Sequence, residues 1–479
     1  MKRSLLIVAA FCFYGFSYSQ LIQPVGPVPT KQQLAWHEME FYIFMHFGPN
    51  TFTGLEWGHG NEDEEVFNPT QLDCRQWARI ARDAGAKGII ITAKHHDGFS
   101  LWPSKNSKHT VRESSWRNGK GDVLLELSQA CKEYGLKFGV YISPWDRNHP
   151  AYGTAKYNKV YMRTMREIIK KYGPLFELWW DGANGEGPNG KKQIYNFRDF
   201  EKLARKLAPN TVVFSDIGPD IRWVGNERGI AGTTNWNLLD TAGFTRGAGA
   251  PSTRVLNTGN ENGKNWIPAE CDVSIRPGWF YHKKEDSLVK SGNDLMKLYL
   301  VSVGRGANLL LNVPPDTRGL IHENDSASLM AFKQMRQDFF KENIALRAKV
   351  NVSAERAGSL SQTLTDGVAF SYWAAPADKQ AVSIEIDLGD QKKFNTILLQ
   401  ETLEFGQRVK SFLVEAWDGS AYKEIAKGTT IGYKRILQFA EQTTAKLRVS
   451  ITESKASPVI SEIQLYSSPQ MNAEQIGRR

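Results

Sequence analysis

The chain has 479 residues, enough for two or three folding units at ~150 residues each. Hydrophobic residues make up 41% and charged residues 23%, with only four cysteines, which excludes a disordered, collagenous or disulfide-framework protein. The net charge of +9 is scattered, with basic clusters of two or three residues at most, so it reads as a solvated surface and not as a nucleic-acid footprint. Lys2-Arg3, the apolar run 5–16 and the small residues Ser17 and Ser19 form a secretory signal pattern over 1–19, with cleavage expected before Gln20. The mature protein is then exported, to the periplasm or beyond the cell. It keeps Cys74, Cys131 and Cys271, which are odd in number and far apart, so neither a disulfide scaffold nor a Cys-ligated metal is indicated. No later apolar stretch reaches the ~20 residues of a transmembrane span.

From residue 36 onward, short β-branched or aromatic runs alternate with amphipathic segments. Strands are predicted at 41–47, 88–94, 137–143, 175–181, 211–216 and 307–313, and helices at 73–84, 121–134, 156–172, 198–207 and 294–303. This alternation means parallel strands joined by crossovers. No Gly-rich nucleotide turn follows the first strand, which favours a (β/α)8-like barrel over a doubly wound sheet. Residues 217–290, rich in Gly, Asn and Trp, leave their strands unplaced. A helix at 325–343 closes the unit. After residue 349 strands of alternating polarity follow without helices, at 381–387, 396–401, 409–417 and 446–452, with turns at 388–390 and 418–419. The expected organisation is a catalytic barrel over 20–349, an antiparallel β-sandwich over 350–467 and a frayed polar tail over 468–479.

Active sites of such barrels are built at the C-terminal ends of the strands. There the sequence places His46, then Lys94-His95-His96-Asp97, then Tyr141 with Trp145-Asp146, then Trp179-Trp180-Asp181, then Asp216 followed by Arg222-Trp223 and Glu227. Imidazoles, rings and at least two carboxylates at one mouth suit glycoside hydrolysis, in which one carboxylate attacks and a second carboxyl moves the proton. Asp181, at the end of an apolar strand, is the natural nucleophile. Its bland alternative is a helix N-cap.

Phe44-Met45-His46-Phe47-Gly48, Glu56-Trp57-Gly58, the stretch 92–99 around His95-His96, Trp179-Trp180-Asp181-Gly182 and the stretch 308–316 stand in one order. Together they resemble the α-L-fucosidases of glycoside hydrolase family 29 over roughly residues 36–345. The resemblance implies a retaining exo-α-L-fucosidase with Asp181 as nucleophile. It also implies a fucose pocket lined by His46, Glu56, Trp57, His95, His96, Tyr141 and Trp179. The acid/base has no single alignable position in that family. Here the run 216–227 looks like the subfamily that cleaves α-1,3/1,4-linked fucose from branched oligosaccharides or glycoconjugates, which assigns the role to Glu227, with Glu56, Asp216 and Glu270 as rivals. Arg276 and Trp279 match a later loop of the family and are added to the pocket, Arg276 to orient a carboxylate and Trp279 to face the apolar C6 methyl group.

Three other readings stand beside this one: a broad-linkage fucosidase, a non-catalytic carbohydrate-binding barrel, and a hydrolase with zinc held by His46, His95, His96 and Asp181. The last lacks a His-Glu-x-x-His motif, so no metal site is assigned and no cofactor is expected for catalysis. The second domain resembles the discoidin-like, galactose-binding modules appended to many glycosidases. Some of those bind sugar or a structural Ca²⁺, but no binding motif matches residue by residue. Trp373 and Trp417 are its candidate sugar platforms, with core packing as the commoner use of such residues.

Overall fold

The computed structural model describes residues 21–476, so the predicted signal segment lies outside the described residues. Eight parallel strands close a barrel: β1 (Phe41–Met45), β2 (Gly88–Lys94), β3 (Lys137–Ile142), β4 (Glu177–Trp179), β5 (Val212–Ser215), β6 (Ile221–Trp223), β7 (Ala269–Ser274) and β8 (Asn308–Asn312). The run of β-branched and aromatic residues is nearly continuous because helices cover the outside while side chains fill the inside. Ile43, Ile89, Ile91, Val140 and Leu311 point outward into the helical layer. Tyr42, Phe44, Ile90, Tyr141, Trp179, Phe214, Ile221 and Leu310 fill the interior. The covering helices follow simple local rules. Helix Cys74–Asp83, for example, is capped by the Asp73 carboxylate, which accepts from the amides of Arg75 and Gln76, and it buries Cys74, Trp77, Ala78 and Ala81 along one stripe.

Two barrel strands lie in the region whose strands the sequence left unplaced, and they show why. Strand β6 has three residues and β7 carries Glu270 and Asp272, so neither has the apolar run by which the others were found. The chain also passes from β5 to β6 in five residues with no helix between them, a departure from regular (β/α)8 alternation. The short connection holds because the Asp220 carboxylate accepts from the Val213 amide (2.7 Å) and pairs with Arg205 (2.6 Å).

Beyond helix Glu323–Phe339, a seven-stranded antiparallel sheet folds over its own core of Trp373, Ile384, Phe394, Ile397, Val414, Leu447 and Ile463. The predicted turn at 388–390 is a bulge inside one 20-residue strand, Val382–Glu401, whose register shifts between Asp387 and Lys392. Trp373 is fully buried, so it is a core residue and not a sugar platform, whereas half-buried Trp417 ends a strand edge-on to Tyr422. The domains meet through apolar and polar contacts: Leu398, Ile436 and Tyr466 join the barrel's core cluster, the Gln407 amide accepts from Asn237 N (2.7 Å) and donates to the Asn235 carbonyl (3.0 Å), and Lys434 pairs with Glu40.

The expected frayed tail is docked through residue 474. Ser468 donates to the Phe339 carbonyl (2.7 Å), Met471 is buried, and Glu474 pairs with Arg305. Polar composition hid this because a few scattered apolar residues, buried Met471 with Ala473 and Ile476 beside the core, carry the packing. Met471→Ala is expected to destabilise the fold by about 2–5 kcal/mol, read as a lowered denaturant midpoint with unchanged far-UV circular dichroism.

Candidate active site

The strand ends converge as the motifs imply. Strand β2 ends at Lys94, so His95 and His96 lie past the ladder and both face the mouth, instead of alternating in and out. Lys94 anchors this corner: its ammonium is buried 3.2 Å from Asp146 and also donates to Tyr157. Burial alone would raise the Asp146 carboxyl, but Lys94 and the His149 amide hold it below its usual value. Gly98 turns the chain at φ +89°, and a Cβ there would lie 2.4 Å from the Asp146 carboxylate, which explains the glycine.

The imidazoles form a wall. His46 packs on Phe44 (4.5 Å between ring centroids), His95 (5.5 Å) and Trp279 (5.0 Å), while His95 stacks beside His96 (4.2 Å) and Tyr141 (5.7 Å). Burial lowers the His46 pKa to about 3 and that of His96 to about 4, and it drives His95 well down, so all three are neutral near pH 7. Their tautomers follow from their partners. The Asn312 amide donates to Ser274 and to the Trp279 carbonyl, so its oxygen accepts from His46 Nδ1 (2.8 Å) and Nε2 keeps its lone pair. Ser143 donates to the Trp145 carbonyl and accepts from His96 Nδ1 (2.7 Å), again leaving Nε2 an acceptor.

Asp181 lies just past β4, its side chain 23% exposed. Tyr141 donates to Oδ2 (2.8 Å), the Ala183 amide donates to Oδ1 (2.7 Å), and His96 Nε2 stands 3.8 Å from Oδ2. The N-cap alternative fails because no helix starts there; the next begins at Phe197. Trp180 points outward against Phe197 and Phe200, whereas Trp179 points inward, stacked between Tyr141 (5.1 Å) and Phe214 (4.0 Å).

Glu227 sits on the rim after β6. The loop is held by Arg222, whose buried guanidinium donates to the carbonyls of Leu256 and Trp236, and by Asn226, which bonds Ile230 at both backbone atoms. The Trp279 indole donates to Glu227 (3.3 Å), and the Trp279 amide donates to Glu56 (2.8 Å). One tryptophan therefore joins both glutamates to the histidine wall. Partial burial and the Asp181 charge raise the Glu227 pKa.

Five of the predicted residues need correction or sorting. Arg276 is not a pocket residue: its side chain is fully buried and pairs with Asp325 (2.8 Å) and Asp286 (2.9 Å), clamping the start of the last barrel helix. Glu270 lies deep in the barrel, where it accepts from Tyr42 and from the Trp179 indole (2.8 Å), one layer below the pocket. Glu56 is tied to His282 (2.6 Å), while Trp57 is exposed at the mouth with its edge towards His96 and Trp145. Asp216 stands behind Gly182, where a Cβ would strike its carboxylate at 1.9 Å; burial and the Asp181 charge raise it to about 6. Among the described residues, no three His, Cys, Asp or Glu side chains converge to hold a metal ion.

The sequence reading placed Trp223 at the mouth but missed Asn312, Ser143, Phe280 and Asp272 as supporting groups. Phe280 packs on His46 and His95, and Asp272, pushed well up by burial and by Glu227, accepts from the Trp223 indole (2.9 Å). Period-2 alternation along β7 and β8 marks Asp272 and Asn312 as inward-facing, but only once those strands are placed.

A parallel barrel whose mouth holds a tyrosine-bound carboxylate, a second carboxyl of raised pKa and a wall of neutral imidazoles has the layout of a barrel glycoside hydrolase. Comparison with known proteins narrows the class. The α-L-fucosidase family pattern matches residues 27–335, and a NedA-like, galactose-binding domain pattern matches 363–449. α-L-Fucosidase 1 of Arabidopsis thaliana is 42% identical over 92% of this chain and 88% of its own length. The crystal structure of SpGH29 superposes with a TM-score of 0.89 at 42% identity, over 94% of this chain and all of the other. A Ruminococcus gnavus family 29 fucosidase solved in complex with fucose gives 0.86 at 31% identity, over 95% and 97%. The chain belongs to the α-L-fucosidases of glycoside hydrolase family 29.

The Arg276 clamp carries its own test. Arg276→Met strands Asp325 as an unpaired buried carboxyl and is expected to cost about 3–5 kcal/mol of stability. Turnover per folded molecule stays within about twofold, because no pocket contact is lost, measured by denaturant titration beside steady-state kinetics.

Proposed function

We propose that the protein is an exported, retaining exo-α-L-fucosidase that releases α-1,3/1,4-linked fucose from branched oligosaccharides or glycoconjugates by double displacement. The observation that carries the catalytic assignment is the pairing of Asp181, fixed by Tyr141 and the Ala183 amide, with Glu227, whose pKa is raised by partial burial and by the Asp181 charge. Asp181 attacks C1 while Glu227 protonates the departing glycosidic oxygen. Water then opens the fucosyl-enzyme with Glu227 as base, and configuration at C1 is retained. His46 and His96, neutral and with Nε2 lone pairs free, accept from sugar hydroxyls. The gap of 3.8 Å between His96 Nε2 and Asp181 admits a hydroxyl donor to either. Trp279 closes the pocket over His46, with its ring face available to the C6 methyl group. Export rests on the signal pattern of residues 1–19, and the linkage on the run 216–227.

Asp181→Asn is expected to lower turnover by about 10⁴-fold or more while keeping the thermal midpoint, since the shape is nearly retained. Substantial activity in that variant would refute the nucleophile. Glu227→Ala should cost about 10²–10⁴-fold on a glycan, whose leaving group needs a proton, and far less on an aryl fucoside with a good leaving group. If Asp216→Ala showed that contrast and Glu227→Ala did not, Asp216 would be the acid. On the linkage, fucose should be freed from α-1,3- and α-1,4-fucosylated GlcNAc bearing galactose, but not from an α-1,2-fucosylated galactoside; release from both marks a broad-linkage enzyme.

The pH profile has a defined sign. Glu227 acts first as an acid, so kcat/KM falls as pH rises through its pKa. The Trp279 indole favours the ionised form and lowers that pKa. Trp279→Phe keeps the ring but removes the donor, so the basic limb should move to higher pH; a shift to lower pH would contradict the assignment.

A further inference from the structure

At the seam between barrel and sheet, a groove of about 1040 Å³ is lined by residues including Arg305, Arg435, Lys427, Gln438, Phe412 and Glu474. Arg305 and Arg435 face each other across a backbone bridge, with Ile436 N donating to the Gly304 carbonyl (2.9 Å). Both guanidiniums are nearly buried, at 8% and 5% exposure. Arg305 donates to the Ala231 carbonyl (2.7 Å) and pairs with Glu474 (2.5 Å). Arg435 has no such support. Its Nε and Nη1 are buried without a hydrogen-bond partner, and no ion pair reaches it among the described residues. Among the described residues, Glu474, itself 76% exposed, is the one carboxylate on this lining.

Two adjacent buried cations sharing one exposed carboxylate is an unbalanced arrangement. Buried polar groups are nearly always bonded, and a buried charge without a partner is expensive. Burial and the neighbouring Arg305 lower the Arg435 pKa to about 10, which still leaves it cationic at neutral pH. A guanidinium fork matches the planar or tetrahedral oxygens of carboxylate, sulfate and phosphate. The carboxylate of Glu474 on Arg305 shows that chemistry within the molecule. The space is far larger than an inorganic ion needs, and beside the arginines it offers Gln438, Ser411 and Thr452 as neutral polar groups above the apolar Phe412.

We propose that this groove is a binding site for an oxyanion carried on a small ligand, held between Arg435 and Arg305, with Glu474 as the internal competitor that yields Arg305 when the ligand arrives. The site is separate from the barrel mouth, so occupancy does not depend on hydrolysis and stands whether or not the linkage or residue roles proposed above hold.

Calorimetric titration of the full chain with sodium sulfate, phosphate, galacturonate and galactose 6-sulfate, at ionic strength matched with chloride, tests this. Neutral galactose is run alongside. Saturable binding of at least one anion is expected, tighter for an anionic sugar than for the inorganic ion; tighter binding of the inorganic ion would overturn the reading of the oxyanion as part of a larger ligand. Arg435→Gln should weaken that binding about tenfold or more, and Glu474→Gln should tighten it several-fold. Neither change should alter turnover of an aryl fucoside. No saturable anion binding by the parent protein, unchanged affinity in Arg435→Gln, or weaker binding in Glu474→Gln would each overturn the proposal. Should Arg435→Gln fail to fold, the parent and Glu474→Gln titrations decide it alone.

Discussion

His46, His95 and His96 are each less than a tenth exposed, and taking an imidazolium out of water at such a place costs several kcal/mol unless a counter-charge repays it. The rings therefore stay neutral, and that shapes everything around them. A neutral imidazole has one donor and one acceptor, so each ring needs a fixed partner on one nitrogen to present a defined atom on the other. Asn312 and Ser143 serve His46 and His96 in that way, and each is itself oriented by further bonds, to Ser274 and the Trp279 carbonyl in one case and the Trp145 carbonyl in the other. The pocket wall is thus defined one shell behind the atoms that face a ligand.

The same dry interior extends below the pocket. Glu177 and Glu270 face each other at the N-terminal ends of β4 and β7, with no Lys or Arg bonded to either among the described residues; their bonded neighbours are Tyr42, Trp36 and Trp179. Burial and mutual repulsion hold Glu177 well above the usual carboxylate range, and burial raises Glu270, so the pair keeps a proton at neutral pH. The ionised oxygen that remains accepts the Trp179 indole and holds the ring against Tyr141, whose hydroxyl in turn donates to Asp181. A structural carboxyl pair is thereby linked to the Asp181 carboxylate through two stacked rings. Glu270 was a rival for the acid role by residue type, but its place in the barrel makes it a support for Trp179.

What was legible in the sequence follows the same physics. Apolar strands with a clear run, such as 88–94 and 308–312, and helices with a cap and a stripe, such as 73–84, were found within a few residues, because each carries its own local signal. Strands β6 and β7 were not, since β6 has only three residues, with Arg222 pointing outward between Ile221 and Trp223, and the inward-facing Glu-x-Asp of β7 replaces the apolar alternation where the interior becomes polar. The gathering of these residues at one barrel mouth was legible through linked motifs, yet Arg276 was misplaced because sequence cannot distinguish an arginine bonded to a helix-start carboxylate from one at the mouth. The docked tail was missed for a related reason: Met471 and Glu474 gain their partners only from chain segments far away in sequence.

Neutral imidazoles also bear on rate. With Asp181 as nucleophile, the transition state gathers positive charge at the sugar ring. An imidazolium at the position of His96 would repel that charge and, 3.8 Å from Asp181, would also pair with the carboxylate. At that His96–Asp181 separation and an effective dielectric constant of 20, two opposite unit charges attract by about 4 kcal/mol. That pairing would hold the carboxylate in its ground state, weakening the nucleophile. By keeping the His96 pKa near 4, burial removes both penalties across the neutral range while leaving an acceptor for sugar hydroxyls. The hydrogen bonds that keep Asp181 in place come instead from Tyr141 and a backbone amide, which fix its geometry without adding a full opposing charge.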